Sequence, residues 1–399
     1  MSDKARSVAL IVFCQVSAMT LWFSASSASA SLLEAGEITG QQAGLLTGAV
    51  QLGFVTGTLV SAWFGLPDRL DPRRLFAACA LVGAAANLSL LATGFDTALT
   101  IALRFLTGVA LAGVYPVGMK LAAGWAGRKV GLMIGTLVGA LTLGSALPHL
   151  FGALSGLEWR MTVAVSSLCG VLAGVAILFS GLGPAHRTSP RFVPGEAWQE
   201  LRRPALLLAN AGYLGHMWEL YAMWAWIGVF LTWGLAEAGA AAAIQPGLLT
   251  FLVIASGAVG CIGAGFLADR FGRTAVTMAA MVVSGLCAAT IGLLPPAGAA
   301  VLIAVALVWG ITIIADSAQF SAAVAELSPP RLVGSMLTLQ TSAGFLLTFF
   351  AIQVMPVLID LLTWRFTFAV LAVGPFLGTL AMWRLRREPD AVLLAGGKL

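Results

Sequence analysis

The chain has 399 residues, 59% of them apolar and only 10% charged, with a formal net charge of +5. A water-facing surface takes roughly 25% charged residues, so the composition excludes an ordinary soluble protein and points to lipid as the solvent. The basic residues lie between apolar runs, where membrane orientation accounts for them better than nucleic acid does. The five cysteines, Cys14, Cys79, Cys169, Cys261 and Cys287, fall inside those runs without metal-ligand spacing and read as packing residues.

The first apolar run lies near 6–30, behind Lys4 and Arg6. Ala28-Ser29-Ala30 resembles a signal-peptidase site, but the run has spanning length and reads as a retained helix. Further segments follow near 41–66, 75–94, 97–121, 130–154, 160–182, 205–233, 243–267, 275–295, 299–323, 332–357 and 363–384. Each is long enough to cross the hydrocarbon core as a helix that satisfies its own backbone. The expected fold class is an all-α membrane protein with 12 transmembrane helices.

All but Arg104, Arg160 and Arg365 of the 22 Lys and Arg fall at the termini or in the even-numbered connections. This places both termini in the cytoplasm and agrees with an even number of crossings. The implied location is a bacterial-type cytoplasmic (inner) membrane. The stretch 184–204, with four prolines and four arginines, reads as a cytoplasmic linker between a six-helix bundle at 1–183 and a second at 205–399. It is a plain tether, or part of it lies on the membrane surface around Trp198.

The two halves repeat one another. Asp68-Arg69 after the second span matches Asp269-Arg270 after the eighth. Val130-Gly131-x-Met133 matches Val333-Gly334-x-Met336 at the start of the fifth and eleventh. Trp159-Arg160-x-Thr162-x-Ala164-Val165 matches Trp364-Arg365-x-Thr367-x-Ala369-Val370 at the sixth and twelfth. Matches at nearly constant offset in corresponding places give two six-helix pseudo-repeats.

These residues resemble the major facilitator superfamily of secondary transporters. Gly265-Phe-Leu-Ala-Asp269-Arg270-Phe271-Gly272-Arg273 carries the whole signature of that family's loop between second and third helices. The first half keeps the charges in Asp68-Arg69-Leu70-Asp71-Pro72-Arg73-Arg74, but Phe64 stands where the motif has glycine. Asp68, Arg69, Asp269, Arg270 and Arg273 are candidates for a conformational latch, and they also serve as an orientation signal. Glycines stripe the second span (Gly44, Gly48, Gly53, Gly57), the fifth (Gly131, Gly135, Gly139, Gly144) and the eighth (Gly257, Gly260, Gly263). Such stripes let helices approach closely. The resemblance implies that they meet across the boundary between halves.

Ionisable groups inside spans are costly and usually functional. They are Arg104, His149, His216, Glu219 and Asp316. The resemblance implies that helices 1, 4, 7 and 10 line a central cavity, and all but His149 lie on those helices. His216 and Glu219 are three apart and share a helix face. They read as a proton-coupling site centred on Glu219 and tuned by His216, or as a static pair between helices. Asp316 is a second proton or cation site, or lies near water. Arg104-x3-Gly108 resembles the Arg-Gly pattern of many family members. It binds an anionic substrate or serves as counter-ion to Glu219 or Asp316. Gly113-Val114-Tyr115-Pro116 suggests a bend near the cavity, and His149, after Pro148, is more often structural than a ligand.

Trp218 and Tyr221 are deep enough to line a cavity, and Gln15, Gln51 and Gln340 are further polar candidates. Substrate-cavity candidates are thus Arg104, Tyr115, His149, Trp218, Tyr221 and Gln340. The chain has no Gly-x-Ser-x-Gly elbow, no His-Glu-x-x-His pair and no Cys/His metal cluster. It is not expected to be an enzyme or to need a cofactor or metal. The expected function is a monomeric secondary active transporter of a small solute by alternating access, proton-coupled. Alternatives are a uniporter, an anion exchanger for a small organic acid, or a non-transporting sensor on the same fold. Partners are the solute, protons and membrane lipid.

Overall fold

A computed structural model describes residues 3–95, 97–126, 130–156, 158–184, 186 and 192–398, excepting the side chains of 130–132. Arg128, Lys129, Arg187, Pro190 and Arg191, used above for orientation and the linker, lie outside the described residues. The described residues form helices and turns, with no strand.

The helices of the first half are α1 (Asp3–Phe23), α2 (Gly40–Phe64), α3 (Pro72–Thr93), α4 (Ala98–Ala126), α5 (Val130–Leu154) and α6 (Trp159–Phe179). In the second half come α7 (Pro204–Glu237), α8 (Pro246–Phe271), α9 (Arg273–Leu293) and α10 (Ala299–Leu327). The next helical stretch, Val333–Leu385, has 53 residues, about 80 Å of helix against a core of about 30 Å. It folds back at Thr363, whose φ of 55° leaves the helical region, and so supplies α11 (333–362) and α12 (364–385). Twelve crossings result.

Local chemistry sets the ends. Thr39 and Gln42 form a capping box at the start of α2, and Gly65 in the left-handed conformation ends it. Asp71 caps α3 by accepting from Arg73 N, with Pro72 at the first position. Helix α1 stops at Phe23, short of the expected span, and passes through a 3-10 turn at Ser26–Ala28 into the short helix Ser29–Glu34. Both α4 and α10 lose helical geometry in mid-span, at 112–114 and 314–316. The spacing of these breaks matches the sequence repeat.

In the first half, α1 packs on α5 and α6, α2 on α4, and α3 on α4 and α6. The second half repeats the plan, with α7 on α11 and α12, α8 on α10, and α9 on α10 and α12. The halves meet along two seams, α5 against α8 and α2 against α11. Lys398 Nζ donates to Asp269 O (2.5 Å) and Gly181 N to Ser7 Oγ (3.0 Å). These bonds tie both chain ends to one side of the bundle, termed the near face.

The glycine stripes divide between two tasks. Among the described residues of the stripes, Gly44, Gly48, Gly135 and Gly139 face the opposite half, against Gln353, Phe349, Cys261 and Ala258, and Gly257 meets Thr142 of that half as well as α10. Gly53 and Gly57 instead face α4, Gly257 and Gly260 face α10, and Gly144 faces α1. The implied meeting of the stripes across the boundary between halves is thus corrected for Gly53, Gly57, Gly144 and Gly260, which pack within their own half. A Cβ on Gly53 would lie 2.0 Å from Phe105 O, and one on Gly108 2.1 Å from Val50 O. The second half repeats this contact with Gly260 1.9 Å from Ile311 O and Gly310 1.9 Å from Val253 O. These reciprocal pairs bring α2 onto α4 and α8 onto α10 at backbone contact.

Candidate functional site

The α2–α11 seam is closed toward the far face, where Gly40 abuts Pro356 and Gly44 abuts Gln353. The α5–α8 seam is closed there by Gln245 Nε2, which donates to Ala153 O (2.7 Å). Toward the near face α2 and α11 separate around a cavity of about 510 Å³. Its walls include Thr58 and Ser61 of α2, Pro116 and Lys120 of α4, and Ser335 and Thr338 of α11, and Phe192 of the linker borders its mouth.

Between the two levels lies a block of aromatic rings drawn from both halves. Trp22 of α1 stacks on Tyr221 of α7 (5.7 Å, 27°) and meets Phe54 of α2 (5.0 Å) and Phe345 of α11 (5.5 Å). Phe54 meets Phe345 at 4.5 Å, and Phe23 lies nearly parallel to Tyr221 (6.3 Å, 8°). Trp224 closes the group against Phe23 and Tyr221. Tyr221 is therefore at the boundary between halves, within the aromatic block rather than on the wall of the near-face cavity. Tyr115 opens the second segment of α4 directly after its break.

Trp218 is elsewhere: its Nε1 donates to Val370 O (3.3 Å) and its ring packs on Gly374 of α12. It holds the second half together and is corrected from cavity lining to internal packing.

Arg104 is fully buried in the first half. It donates to Leu46 O (3.1 Å), Leu21 O (3.0 Å), Trp22 O (2.5 Å), Ser24 Oγ (3.2 Å) and Asn87 Oδ1 (3.1 Å). None of these acceptors is a carboxylate. The guanidinium binds carbonyls at the broken end of α1, the negative pole of that helix. This corrects the expectation of an anion ligand or counter-ion to Glu219 or Asp316. Asn87 extends the network by accepting from Ser24 Oγ (2.6 Å) and donating to Ser167 Oγ (2.9 Å) and Val163 O (3.2 Å). Asn87 was missed in the sequence, although an amide within an apolar span was a usable signal.

The acids of the second half have separate partners. Glu219 Oε1 accepts from Trp309 Nε1 (2.7 Å) and Oε2 from Ser284 Oγ (2.9 Å), between α7, α9 and α10. His216 Nδ1 instead lies 2.8 Å from Asp316 Oδ1, with both side chains almost wholly buried. The expected His216–Glu219 unit is thus replaced by a His216–Asp316 pair, with Glu219 nearby on the same helix and within electrostatic reach of Asp316. Asp316 sits in the break of α10, its side chain buried against His216 of α7. Trp309 and Ser284 carried no signal in sequence, because neither stands out in an apolar helix.

Several amides and rings have buried polar atoms with no hydrogen-bond partner. They include both ends of Gln15, Gln51 and Gln340, Gln353 Oε1, His149 Nε2, and the indole N–H groups of Trp22 and Trp224. Gln15 lies inside the first half against Gly118. Gln51 shares a face of α2 with Gly44 and Gly48 and so looks toward α11. His149 lies on α5 beside Gly247 of α8.

At the near face the motif residues bind within their own halves. Asp68 Oδ1 pairs with Lys120 Nζ at the end of α4 (2.5 Å). Arg273 forms a two-pronged pair with Glu326 at the end of α10 (2.6 and 2.8 Å) and donates to Gln319 Oε1 (2.7 Å). The charge order is reversed between the repeats. Arg270 lies over the Phe271 ring (5.2 Å), and Asp269 meets the C-terminal tail through its carbonyl. The linker helix Pro194–Glu200 docks through a Glu196–Arg331 ion pair and Val193 N donating to Ser335 Oγ (3.0 Å). Asp71 lies outside the spans, and the Arg73 guanidinium beside it holds its carboxyl below the usual value.

Two bundles of broken and continuous helices, parted by a cavity at the near face and in contact toward the far face, have the architecture of a polytopic membrane transporter. The family model of the Major Facilitator Superfamily matches residues 11–352, and the chain belongs to that family. No curated protein sequence matches it. Among solved structures it is similar to the nucleoside transporter NupG (TM-score 0.72, 15% identity, 97% of this chain and 100% of that one). A point mutant of NupG gives the same TM-score with 14% identity, over 96% of this chain and 100% of that one. The human organic anion transporter MFSD10 (TETRAN) gives 0.66 with 16% identity, also over 96% and 100%. At these identities the likeness is one of fold.

Proposed function

We propose that the protein carries a small organic solute by alternating access, with units 1–183 and 205–399 rocking about the two seams and 184–204 joining them. The one observation that supports this above others is the asymmetry of the α2–α11 seam. It opens to a cavity of about 510 Å³ at the near face, whereas at the far face Gly40 and Pro356 are in contact and line a separate recess of about 490 Å³ between α2, α7 and α11. A rotation that closes the first contact opens the second, because α2 and α11 are each a single rigid rod across both. The near face is assigned to the cytoplasm and the membrane to the bacterial inner type, from the distribution of Lys and Arg. The protein works as a monomer, since one chain forms both walls of the cavity.

Coupling to protons is assigned to the Asp316–His216 pair with Glu219 beside it. Carboxylate and imidazole groups at this depth commonly relay protons in transporters, and the pair lies at the break in α10. The anion-exchanger alternative is disfavoured by the bonds Arg104 makes to main-chain carbonyls. NupG and MFSD10 are named for nucleosides and organic anions, which supports an organic solute and leaves the charge open.

The test is solute accumulation in proteoliposomes under an imposed pH gradient. Asp316→Asn and Glu219→Gln are each expected to abolish gradient-driven accumulation while solute exchange persists. Accumulation that survives in both variants removes the proton assignment, and an absence of exchange for every solute class removes transport.

A further inference from the structure

We infer that the aromatic block at the seam binds an uncharged, planar, hydrogen-bonding ring, and that Gln51 is a principal recognition residue. The inference rests on the transport reading and adds the substrate class. Three features of the block carry it.

The first is shape. Trp22 and Phe23 come from one half and Tyr221 from the other, with interplanar angles of 27° and 8°. These near-parallel contacts cross the boundary that must part when the halves rock. A flat ring that entered between them would meet an aromatic face on either side, as offset-stacked pairs prefer.

The second is unmet hydrogen bonding. Trp22 Nε1, Trp224 Nε1 and both ends of the Gln51 amide are buried without a partner, and so is Gln353 Oε1. Gln51 stands one helical turn from Phe54, which touches Trp22 and Phe345, and Gln353 lies against Gly48 one turn away on the same face. Native proteins leave few buried polar groups unpaired, so unpaired donors and acceptors contributed from both sides of the seam call for a guest that supplies both.

The third is charge. Arg104 lies behind the backbone of Leu21 and Trp22 and donates to their carbonyls. Glu219 is bonded to Trp309 and Ser284, and Asp316 faces His216. Among the described residues of the block itself, every side chain is neutral. A charged guest would be stripped of water with no counter-charge beside it, which is far more costly than for a neutral one.

The experiment uses the purified full chain and three probes of one ring system that differ in charge: nicotinamide (neutral), nicotinate (anion) and 1-methylnicotinamide, quaternised on the ring nitrogen (cation). Equilibrium binding is expected to be at least about tenfold tighter for nicotinamide than for either charged analogue. Equal or tighter binding of a charged analogue, or no binding of nicotinamide up to about 10 mM, overturns the inference. Gln51→Leu separates recognition from structure. It removes unpaired polar atoms, so the ligand-free variant is expected to melt higher while nicotinamide binds about tenfold more weakly. A lower melting point with unchanged binding makes Gln51 structural and sinks its assignment. Exchange of radiolabelled solutes in proteoliposomes reads transport separately. Exchange of charged solutes alone would contradict the substrate class and leave the transport reading standing.

Discussion

Arg104 illustrates both the reach and the limit of sequence reasoning. An arginine in a membrane helix is conspicuous, and its importance was legible. Most of its partners were not, because three are main-chain carbonyls 58 to 83 positions away, which no side-chain pattern announces, and only Asn87 left a polar signal in its span. The same limit hid the bonds of Glu219 to Trp309 and Ser284, and redirected His216 to Asp316. Replacing Arg104 with leucine strands several buried acceptors at once. The expected loss is at least about 3 kcal/mol of stability, read by thermal unfolding in detergent. Arg104→Lys should recover only part of it, because an ammonium cannot span the same fork of acceptors. Asp71 makes a smaller, pH-dependent contribution. Its carboxyl is held below the ordinary 3.8 by Arg73, so the charge stabilises the fold above that value and loses its effect as pH falls through the lowered one. Asp71→Asn keeps a capping side chain and should cost well under about 1 kcal/mol at neutral pH, since solvent screens a partly exposed pair. The difference between the two melting curves should close progressively below 3.8.

Helices were the most legible level. Apolar length located the spans, and the linker stood out by its prolines and arginines. What the pattern could not assign was the direction each glycine faces. In lipid, both a tight intra-half contact and a sliding contact use small residues, so α2 and α8 carry one stripe for two purposes. The backbone contacts now separate them. Gly53→Val and Gly260→Val should prevent folding, because each Cβ would overlap a carbonyl oxygen of the neighbouring helix at 2.0 and 1.9 Å. Gly263→Val, with open space around its Cβ, should leave the yield of monodisperse protein unchanged in size-exclusion profiles. The break of α1 after Phe23 was also missed, since it carries neither glycine nor proline, whereas the reversal at Thr363 falls at the expected start of the last span. Thr363 holds a φ of 55°, which favours glycine, so Thr363→Gly should raise the melting temperature by an amount equivalent to about 1 kcal/mol.

For the molecule as a whole, the repeat made the architecture legible before any coordinates, and the structure extends it to features with no shared letters. The breaks at 112–114 and 314–316 correspond. So do the reciprocal glycine contacts, and the paired but charge-reversed near-face bonds of Lys120 with Asp68 and Glu326 with Arg273. Function departs from this symmetry. The first half clamps its buried charge to α1, whereas the second gathers His216, Asp316 and Glu219 around the break in α10. On the proposal above, the halves share a frame for rocking, and the second contributes the groups assigned to proton coupling.

The rocking itself can be measured with two pairs of spin labels in a chain whose native cysteines are replaced, one pair at Ser61 and Thr338 beside the near-face cavity and one at Gln41 and Val357 on the far side. Alternating access predicts that double electron–electron resonance in proteoliposomes, with and without a pH gradient, gives two populations in which the near distance shortens as the far distance lengthens. Distances that stay fixed, or that lengthen together, would contradict it.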